Sequence, residues 1–276
     1  SGKNSLFWSL IMTQATLNDG TKVFCLRKPE AKMLDHHVDG YLQNGIKIND
    51  GDVVFDVGAN VGVFGIRATQ KAKNVHAYCF EPIPDIYAVL SKNASEYGKG
   101  MIHTFRMGVS DAAAKATFTY FPNTPALSTL HPEEWEKDPK AFSKAVKGTM
   151  KNPPVGMKWM KLIPSFLSGL IAFVLVRGKR KVECDLNTLS SIIEKERIEK
   201  IDLLKIDCEG AEWSVLKGIS DEHWPLIKSL VIEVHDLDGR LNQIQKLLGE
   251  KGFSKLHHER EVGLEDSVMF NLFALR

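Results

Sequence analysis

The chain has 276 residues, of which 43 % are hydrophobic and 25 % are charged, a composition typical of globular proteins and not of disordered ones. The net charge of +2 gives no reason to expect nucleic acid as a partner. The four cysteines form no C-x-x-C pair, which argues against a structural zinc site and a secreted disulfide scaffold. We therefore expect a cytoplasmic protein with one large domain or two small ones.

The first 48 residues have no regular alternation of strands and helices. TKVFCLRK at 21–28 predicts a strand, and EAKMLDHHVDGYLQNG predicts a helix that stops at Gly45. We interpret residues 1–48 as an N-terminal lid or cap. The helix carries His36, His37 and Tyr41; these residues either lie on an exposed helix surface or fold over a ligand.

From residue 49 onward, strand and helix patterns alternate. Strands are predicted at 53–57, 75–82, 101–111, 201–210 and 229–236, and helices at 61–71, 84–97, 211–219 and 240–252. FSKLHHER and SVMFNLFALR predict a closing antiparallel pair. This order predicts an α/β domain over 49–276, a doubly wound, mostly parallel seven-stranded sheet with helices on both faces.

An insertion at about 119–182 interrupts this rhythm, and we interpret it as a helical lid or substrate-binding element. Its most apolar run, LIPSFLSGLIAFVLV at 162–176, is shorter than the roughly 20 residues of a spanning helix. We expect no transmembrane segment here, but an amphipathic or buried helix lining a hydrophobic substrate site. Its cationic flanks also leave open a helix on a membrane surface or contact with an acidic carrier protein.

The stretch VVFDVGANVGVFG at 53–65 predicts a ligand-binding turn. Gly58 and Gly62 lack the Cβ that would prevent a sharp turn and a close approach to a ligand. The next helix presents free N–H groups at its start, and Glu81 ends the following strand, where a carboxylate can accept hydrogen bonds from ribose hydroxyls. This geometry is shared by NAD and S-adenosylmethionine sites.

The loop chemistry favours S-adenosylmethionine (SAM). Asp56 would repel a pyrophosphate but suits an amino group, and Ala59 and Asn60 occupy the middle of the loop. After the third strand, Ser110 and Asp111 are predicted to meet the adenine ring. An NAD-dependent oxidoreductase is disfavoured because the third glycine is absent.

The motifs together resemble the FkbM family of class I SAM-dependent methyltransferases. They are FDVGANVG, CFEP, GVSD, IDLLKIDCEGAE and IEVHD. The resemblance implies O-methylation of a hydroxyl in polyketide or nonribosomal peptide biosynthesis, on an acyl-type substrate carried by an acyl or peptidyl carrier protein. The start at Ser1-Gly2-Lys3, without Met, is compatible with a domain excised from a longer synthase.

The acceptor proton needs a base near the cofactor crevice. We predict His235 as general base, Glu209 as its assisting carboxylate and Asp207 at the methionine end of the cofactor. With Glu233, these residues could instead hold a divalent cation, an alternative that we do not favour. N- or C-methylation on the same fold, and a non-catalytic docking module, are the remaining alternatives.

Overall fold

The structure, a computed structural model, describes residues 12–130, 143, 146–148, 150, 151, 153, 158–236, 238–260 and 268–276. Residues 1–11 of the predicted cap and most of 131–157 of the predicted insertion lie outside this range. No helix in the described ranges is long and apolar enough to cross a bilayer.

A seven-stranded sheet forms the centre of the molecule, as the sequence predicts. Its order is β11-β12-β10-β9-β3-β4-β5, and only β12 runs antiparallel to its neighbours. The strands are β3 (Val53–Val57), β4 (His76–Phe80), β5 (Ile102–Phe105), β9 (Leu203–Ile206), β10 (Ser229–His235), β11 (Lys255–Glu259) and β12 (Met269–Leu275). The predicted closing antiparallel pair is therefore confirmed.

Helices cover both faces of this sheet, because the central strands are buried on both sides. One face packs against α1 (Lys28–Tyr41), α2 (Val63–Lys71) and α3 (Pro84–Tyr97). The other face packs against α5 (Leu189–Glu196), α6 (Glu212–Lys217) and α7 (Arg240–Glu250). The fold is the predicted doubly wound α/β architecture. Helix α5 was not predicted, although Thr188 provides an N-cap that accepts a hydrogen bond from the Ser191 N–H at 3.1 Å.

The chain reverses its direction of travel across the sheet between β3 and β9. From β3 it proceeds outward to β4 and β5, and it later returns to the opposite side of β3 through β9 and β10. In open α/β sheets, ligands bind beyond the carboxyl ends of the strands at such a switch point. The parallel register pairs Asp56 with Lys205 there.

The predicted third strand at 101–111 is wrong in its second half. After β5, the chain leaves the main sheet, and β6 (Gly108–Val109) joins β8 (Arg180–Asn187) and β7 (Ala114–Tyr120) in a separate three-stranded sheet, order β6-β8-β7. Gly108 permits the close packing that this change requires, since a Cβ there would lie 2.6 Å from a methyl carbon of Leu186. Two more strands, β1 (Thr13–Thr16) and β2 (Lys22–Cys25), form an antiparallel hairpin beside α1.

The insertion is anchored by the antiparallel pairing of β7 with β8 at its two ends. Its apolar run forms two short 3₁₀ turns, Lys158–Leu162 and Ser165–Leu167, and then helix α4 (Ser168–Val176). The helix is neither fully buried nor evenly amphipathic. Ile171 and Leu175 line a cavity, whereas Phe173 on the same helix is 60 % exposed.

Candidate active site

A cavity of about 470 Å³ lies beyond the carboxyl ends of β3, β4 and β9, within the range of roughly 300–1,000 Å³ common for small-molecule sites. One wall is formed by the strand ends, and the opposite wall by Met160, Ile171 and Leu175 of the insertion. Five of the predicted site residues line it: Gly58, Asn60, Glu81, Asp207 and Glu209. Asp56, Ala59, Gly62, Ser110, Asp111 and His235 are not among the lining residues.

The loop after β3 is held in a turn that only glycine accommodates at its first position. Gly58 has φ +79°, and a Cβ there would lie 1.7 Å from the carbonyl oxygen of Asp207. The loop and the end of β9 are therefore in backbone contact. Gly62 also has a positive φ, and Asn60 has φ 50°, a region that asparagine tolerates better than most residues. The Asn60 side-chain oxygen accepts the Val61 N–H at 2.7 Å, which fixes the turn.

Glu81 ends β4 at the cavity wall. Its carboxylate accepts a hydrogen bond from the Ile83 N–H at 2.8 Å, and the residue is only 5 % exposed. Burial raises the pKa of Glu81 to about 8, because the charged form loses its hydration. A buried carboxylate that still faces a cavity can accept hydrogen bonds from two neighbouring hydroxyl groups of a ligand.

Lys205 organises the floor of the site, and the sequence analysis did not select it. Its ammonium lies 2.9 Å from Asp56 Oδ1 and 3.3 Å from Asp207 Oδ2, and it donates to the Gly58 carbonyl at 3.2 Å. Burial alone would lower the pKa of Lys205, but the two carboxylates raise it, so the ammonium stays charged. The available signal was a lysine inside the apolar strand LLKI.

This pairing changes the interpretation of Asp56. The carboxylate is fully buried and pairs with Lys205, instead of facing the cavity. Asp56 therefore acts on the loop through Lys205, which connects β3, the Gly58 turn and the end of β9.

Asp207 receives a second donor from helix α1. The Tyr41 hydroxyl lies 3.0 Å from Asp207 Oδ2 and 3.3 Å from Glu233 Oε2. Burial opposes ionisation of Asp207, but the Lys205 ammonium and the Tyr41 hydroxyl outweigh it and lower the pKa of Asp207. His37 also lines the cavity, whereas His36 is exposed. Helix α1 thus brings His37 to the cavity wall and Tyr41 to Asp207; its role as a lid stays a prediction.

His235 lies between two carboxylates at the end of β10. Its Nδ1 is 3.2 Å from Glu212 Oε1, and its Nε2 is 3.6 Å from Glu209 Oε2. Burial disfavours the imidazolium, but the interactions with Glu209 and Glu212 raise the pKa of His235 well above its usual value. Glu209 lines the cavity, and His235 lies behind it. Burial raises the pKa of Glu209 as well.

Glu212 holds His235 and the Gly210 backbone in position. The sequence analysis did not select this residue. It is completely buried, and its Oε1 accepts the Gly210 N–H at 2.7 Å. Arg240 donates to the Gly210 carbonyl at 2.9 Å and lies 3.6 Å from Glu212 Oε2. The acid that ends the motif DCEGAE was the signal in the sequence.

The base of the insertion contacts this cluster directly. The Thr129 hydroxyl donates to the carbonyl of Glu209 at 2.7 Å. Glu209 has φ 51°, a left-handed conformation that is uncommon for this residue type. The insertion thus supports the backbone that aims the Glu209 side chain into the cavity.

Ser110 and Asp111 lie just outside the cavity. The Ser110 N–H donates to the Asn187 carbonyl at 2.8 Å, and Asp111 pairs with Lys217 at 2.7 Å on the surface. The segment reaches the cavity at Gly108 and Val109 instead, which provide an apolar surface for an aromatic ring.

The predicted cation ligands Asp207, Glu209, Glu233 and His235 do not converge on one point. In the described part of the chain, three metal-ligating atoms lie within 4.8 Å of one another only at Glu194, Glu222 and His223. That group is outside the cavity, and exposed acidic groups of this kind are common on protein surfaces.

The sequence model of the methyltransferase FkbM domain matches residues 56–255. The chain belongs to the FkbM methyltransferase family. The match covers the switch point, the cluster around His235 and the cavity lining except for Met33, Leu34, His37 and Met269. The seven-stranded sheet described above is that of class I SAM-dependent methyltransferases, as the resemblance in the sequence implied.

Three curated proteins illustrate the range of relatives of this FkbM-family chain. Methyltransferase sdnD of Sordaria araneosa is 34 % identical over 209 residues, covering 72 % of this chain and 73 % of its own length. 31-O-demethyl-FK506 methyltransferase FkbM of Streptomyces tacrolimicus is 34 % identical over 215 residues, covering 78 % and 77 %. AMB antimetabolite synthetase AmbE of Pseudomonas aeruginosa is 30 % identical over 241 residues, covering 86 % of this chain and 11 % of the synthetase.

Family and fold make this protein a methyltransferase with SAM as its cofactor. The residues present fit that cofactor. Gly58 and Asn60 bring the turn after β3 to the cavity, Glu81 offers a carboxyl group for ligand hydroxyls, and Gly108 and Val109 offer an apolar wall. The charge of Asp207, which remains ionised, suits an ammonium group.

Proposed function

We propose that this chain is an O-methyltransferase that methylates a hydroxyl of an apolar, acyl-type acceptor, with the Glu209–His235 pair taking the hydroxyl proton. The observation that carries the proposal is the Glu209 carboxylate at the cavity wall with His235 Nε2 3.6 Å behind it. Methylation of a hydroxyl requires removal of its proton, whereas the sulfonium of SAM supplies the methyl group without any further activation.

Each wall of the cavity has a different role in this proposal. Glu81 holds the ribose hydroxyls, the Gly58–Asn60 turn and Asp207 hold the amino-acid end, and Val109 contacts the adenine. The acceptor lies against Ile171 and Leu175 of the insertion, whose apolar side chains line the opposite wall. Its hydroxyl then faces Glu209. Positioning of the two reactants supplies much of the rate acceleration in such a site.

In this proposal, Glu209 and His235 act together as the base that accepts the hydroxyl proton of the acceptor. The hydroxyl proton passes to the Glu209 carboxylate or through it to the neutral imidazole of His235. Because Glu209 and Glu212 raise the pKa of His235, the neutral imidazole becomes available only as the pH rises. Turnover is therefore expected to increase toward alkaline pH.

The names of two relatives support the choice of acceptor. The Streptomyces relative is named as a 31-O-demethyl-FK506 methyltransferase, and AmbE is named as an antimetabolite synthetase. These names favour a hydroxyl acceptor from natural-product biosynthesis, free or attached to a carrier protein.

The test uses SAM with a panel of hydroxyl acceptors, namely macrolactones and 3-hydroxyacyl pantetheine, free and carrier-bound. Mass spectrometry detects the added methyl group, and NMR locates it. His235→Ala is expected to reduce turnover by at least about 100-fold while leaving the affinity for S-adenosylhomocysteine unchanged in calorimetry. Unchanged turnover would refute the proposed base, and a product methylated on nitrogen or carbon would refute O-methylation.

The variant Glu212→Gln tests whether Glu212 controls the pKa of His235 or only stabilises the fold. Removing this buried carboxylate lowers the pKa of His235 and is expected to move the pH–rate profile to lower pH. A uniform loss of activity at every pH would contradict the role assigned to the pair.

A further inference from the structure

The insertion exposes a group of large hydrophobic side chains that the catalytic site does not use. They are Leu162, Phe166, Leu170, Phe173 and Val174, hereafter the apolar patch, with exposures of 85 %, 81 %, 60 %, 60 % and 49 %. Among the described residues, only Val268 is a comparably exposed large hydrophobic side chain. Leu170, Phe173 and Val174 follow i, i+3, i+4 spacing on helix α4 and share one face of it. Leu162 and Phe166 lie in the two 3₁₀ turns that precede this helix.

The opposite face of the same segment is already occupied. Ala172 is 7 % exposed and belongs to a small cluster with Val146 and Met150, and Ile171 and Leu175 line the cavity. Helix α4 therefore has one face toward the protein and one apolar face toward its surroundings. Concentrations of exposed apolar residues of this kind mark interaction sites more often than ordinary surface.

The segment of the chain that contains the apolar patch is rich in positive charge, which indicates the kind of partner that the patch contacts. Residues 139–182 contain ten Lys and Arg and no Asp or Glu, although the whole chain has a net charge of only +2. The rest of the chain is therefore net negative. Lys161, Arg177 and Lys181 flank the patch and are exposed; Arg180, between them, pairs with Asp85 at 2.8 Å.

We propose that the apolar patch docks on an anionic lipid bilayer, with helix α4 lying in the interfacial region. Cations beside an apolar helical face provide both contributions to interfacial binding, namely burial of apolar area and attraction to anionic headgroups. Helix α4 has nine residues, fewer than the roughly 20 that a spanning helix needs, so the proposed contact is peripheral. The dense positive charge disfavours pairing of this face with a second copy, because like charges would then meet.

The experiment is flotation of the full chain with vesicles. Wild type is expected to bind vesicles of equal parts phosphatidylcholine and phosphatidylglycerol at least tenfold more tightly than vesicles of phosphatidylcholine alone. Phe166→Ser with Phe173→Ser is expected to weaken that binding at least tenfold. Lys161→Glu and Lys181→Glu are expected to weaken it by about fivefold or more each, since one cation near the surface contributes that factor.

Two control variants match these changes elsewhere on the chain. Val268→Ser removes an exposed apolar side chain outside the patch, and Lys246→Glu reverses an exposed cation on α7; both are expected to bind vesicles like wild type. Unchanged urea midpoints and unchanged S-adenosylhomocysteine affinity show that the patch variants are folded and keep the cofactor site.

Several outcomes would overturn the proposal. Equal binding to both vesicle types, no binding, or full binding by the double Phe variant would each do so. A wild-type dimer that the double Phe substitution converts to a monomer would assign the apolar patch to a second copy. Binding to an acidic acyl carrier protein that needs Phe166 and Phe173, without vesicle binding, would assign it to that protein instead.

Discussion

Replacing Glu81 by Gln should stabilise the ligand-free protein at alkaline pH while weakening cofactor binding. Burial raises the pKa of this carboxyl from 4.5 to about 8. The folded chain therefore holds a proton that the unfolded chain releases between these two values. Since the unfolded state then binds fewer protons, the free energy of unfolding falls as the pH rises through this window.

The size of the effect follows from the two pKa values. Each pH unit between them costs the folded state about 1.4 kcal/mol. Between about pH 5 and about pH 8.5, the wild type should lose about 4 kcal/mol relative to the Gln variant. In a chain of this size, that corresponds to roughly 8–16 °C in melting temperature. The Gln oxygen can still accept the Ile83 N–H, so the turn remains supported.

The assay is calorimetric unfolding of both proteins at the two pH values, without ligand. Glu199→Gln serves as the control, because Glu199 is exposed and should change the melting temperature little at either pH. A stability difference between wild type and Glu81→Gln that does not change with pH would refute the reasoning. S-adenosylhomocysteine affinity of Glu81→Gln should fall about tenfold or more, since the amide replaces one of the two oxygens that can accept hydrogen bonds from the ligand hydroxyls.

Two further predictions concern the floor of the site. Gly58→Ala should abolish cofactor binding and destabilise the fold, because its Cβ would lie 1.7 Å from the Asp207 carbonyl oxygen. The control is Gly100→Ala, since Gly100 has a similar φ of +82° but nothing within 4 Å of the added Cβ. Calorimetry measures cofactor binding and unfolding of both variants. Lys205→Met should cost about 3–5 kcal/mol in urea unfolding, because it leaves the buried Asp56 carboxylate without its cation.

Controls for these two variants separate local strain from general damage. If Gly100→Ala is as harmful as Gly58→Ala, the loss comes from the positive φ and not from the collision. Lys115→Met removes a cation from a pair with Glu183 in which both side chains are exposed, so it should leave the urea midpoint almost unchanged. An equally small effect of Lys205→Met would contradict the role of Lys205 as the buried link between the strands.

Local sequence patterns were sufficient for most of the secondary structure. Apolar five-residue strands such as VVFDV, and helices with 3.6-residue periodicity such as PDIYAVLSKNASEY, are determined by neighbours in the chain. The exceptions are informative. The predicted strand at 101–111 breaks after Phe105, and Gly108 pairs instead with Leu186 of β8, far along the chain.

The candidate site shows the same division. Gly58, Asn60 and Glu81 could be selected because a turn and a strand end are local features, and Asp207 and Glu209 because they follow a strand. Their roles at the cofactor and the acceptor stay predictions. The position of His235 behind Glu209, and not at the cavity wall, could not be read from its place at a strand end.

The sequence by itself therefore determined the alternation of strands and helices, the turn after β3 and the membership in the FkbM family. Only the tertiary structure decided which charges meet. Lys205 reaches Asp56 because β3 and β9 are neighbours in the sheet, and Tyr41 reaches Glu233 across 192 residues of sequence. Local conformational preferences act over a few residues, whereas these contacts depend on strand register and helix packing, which form only when the whole core assembles.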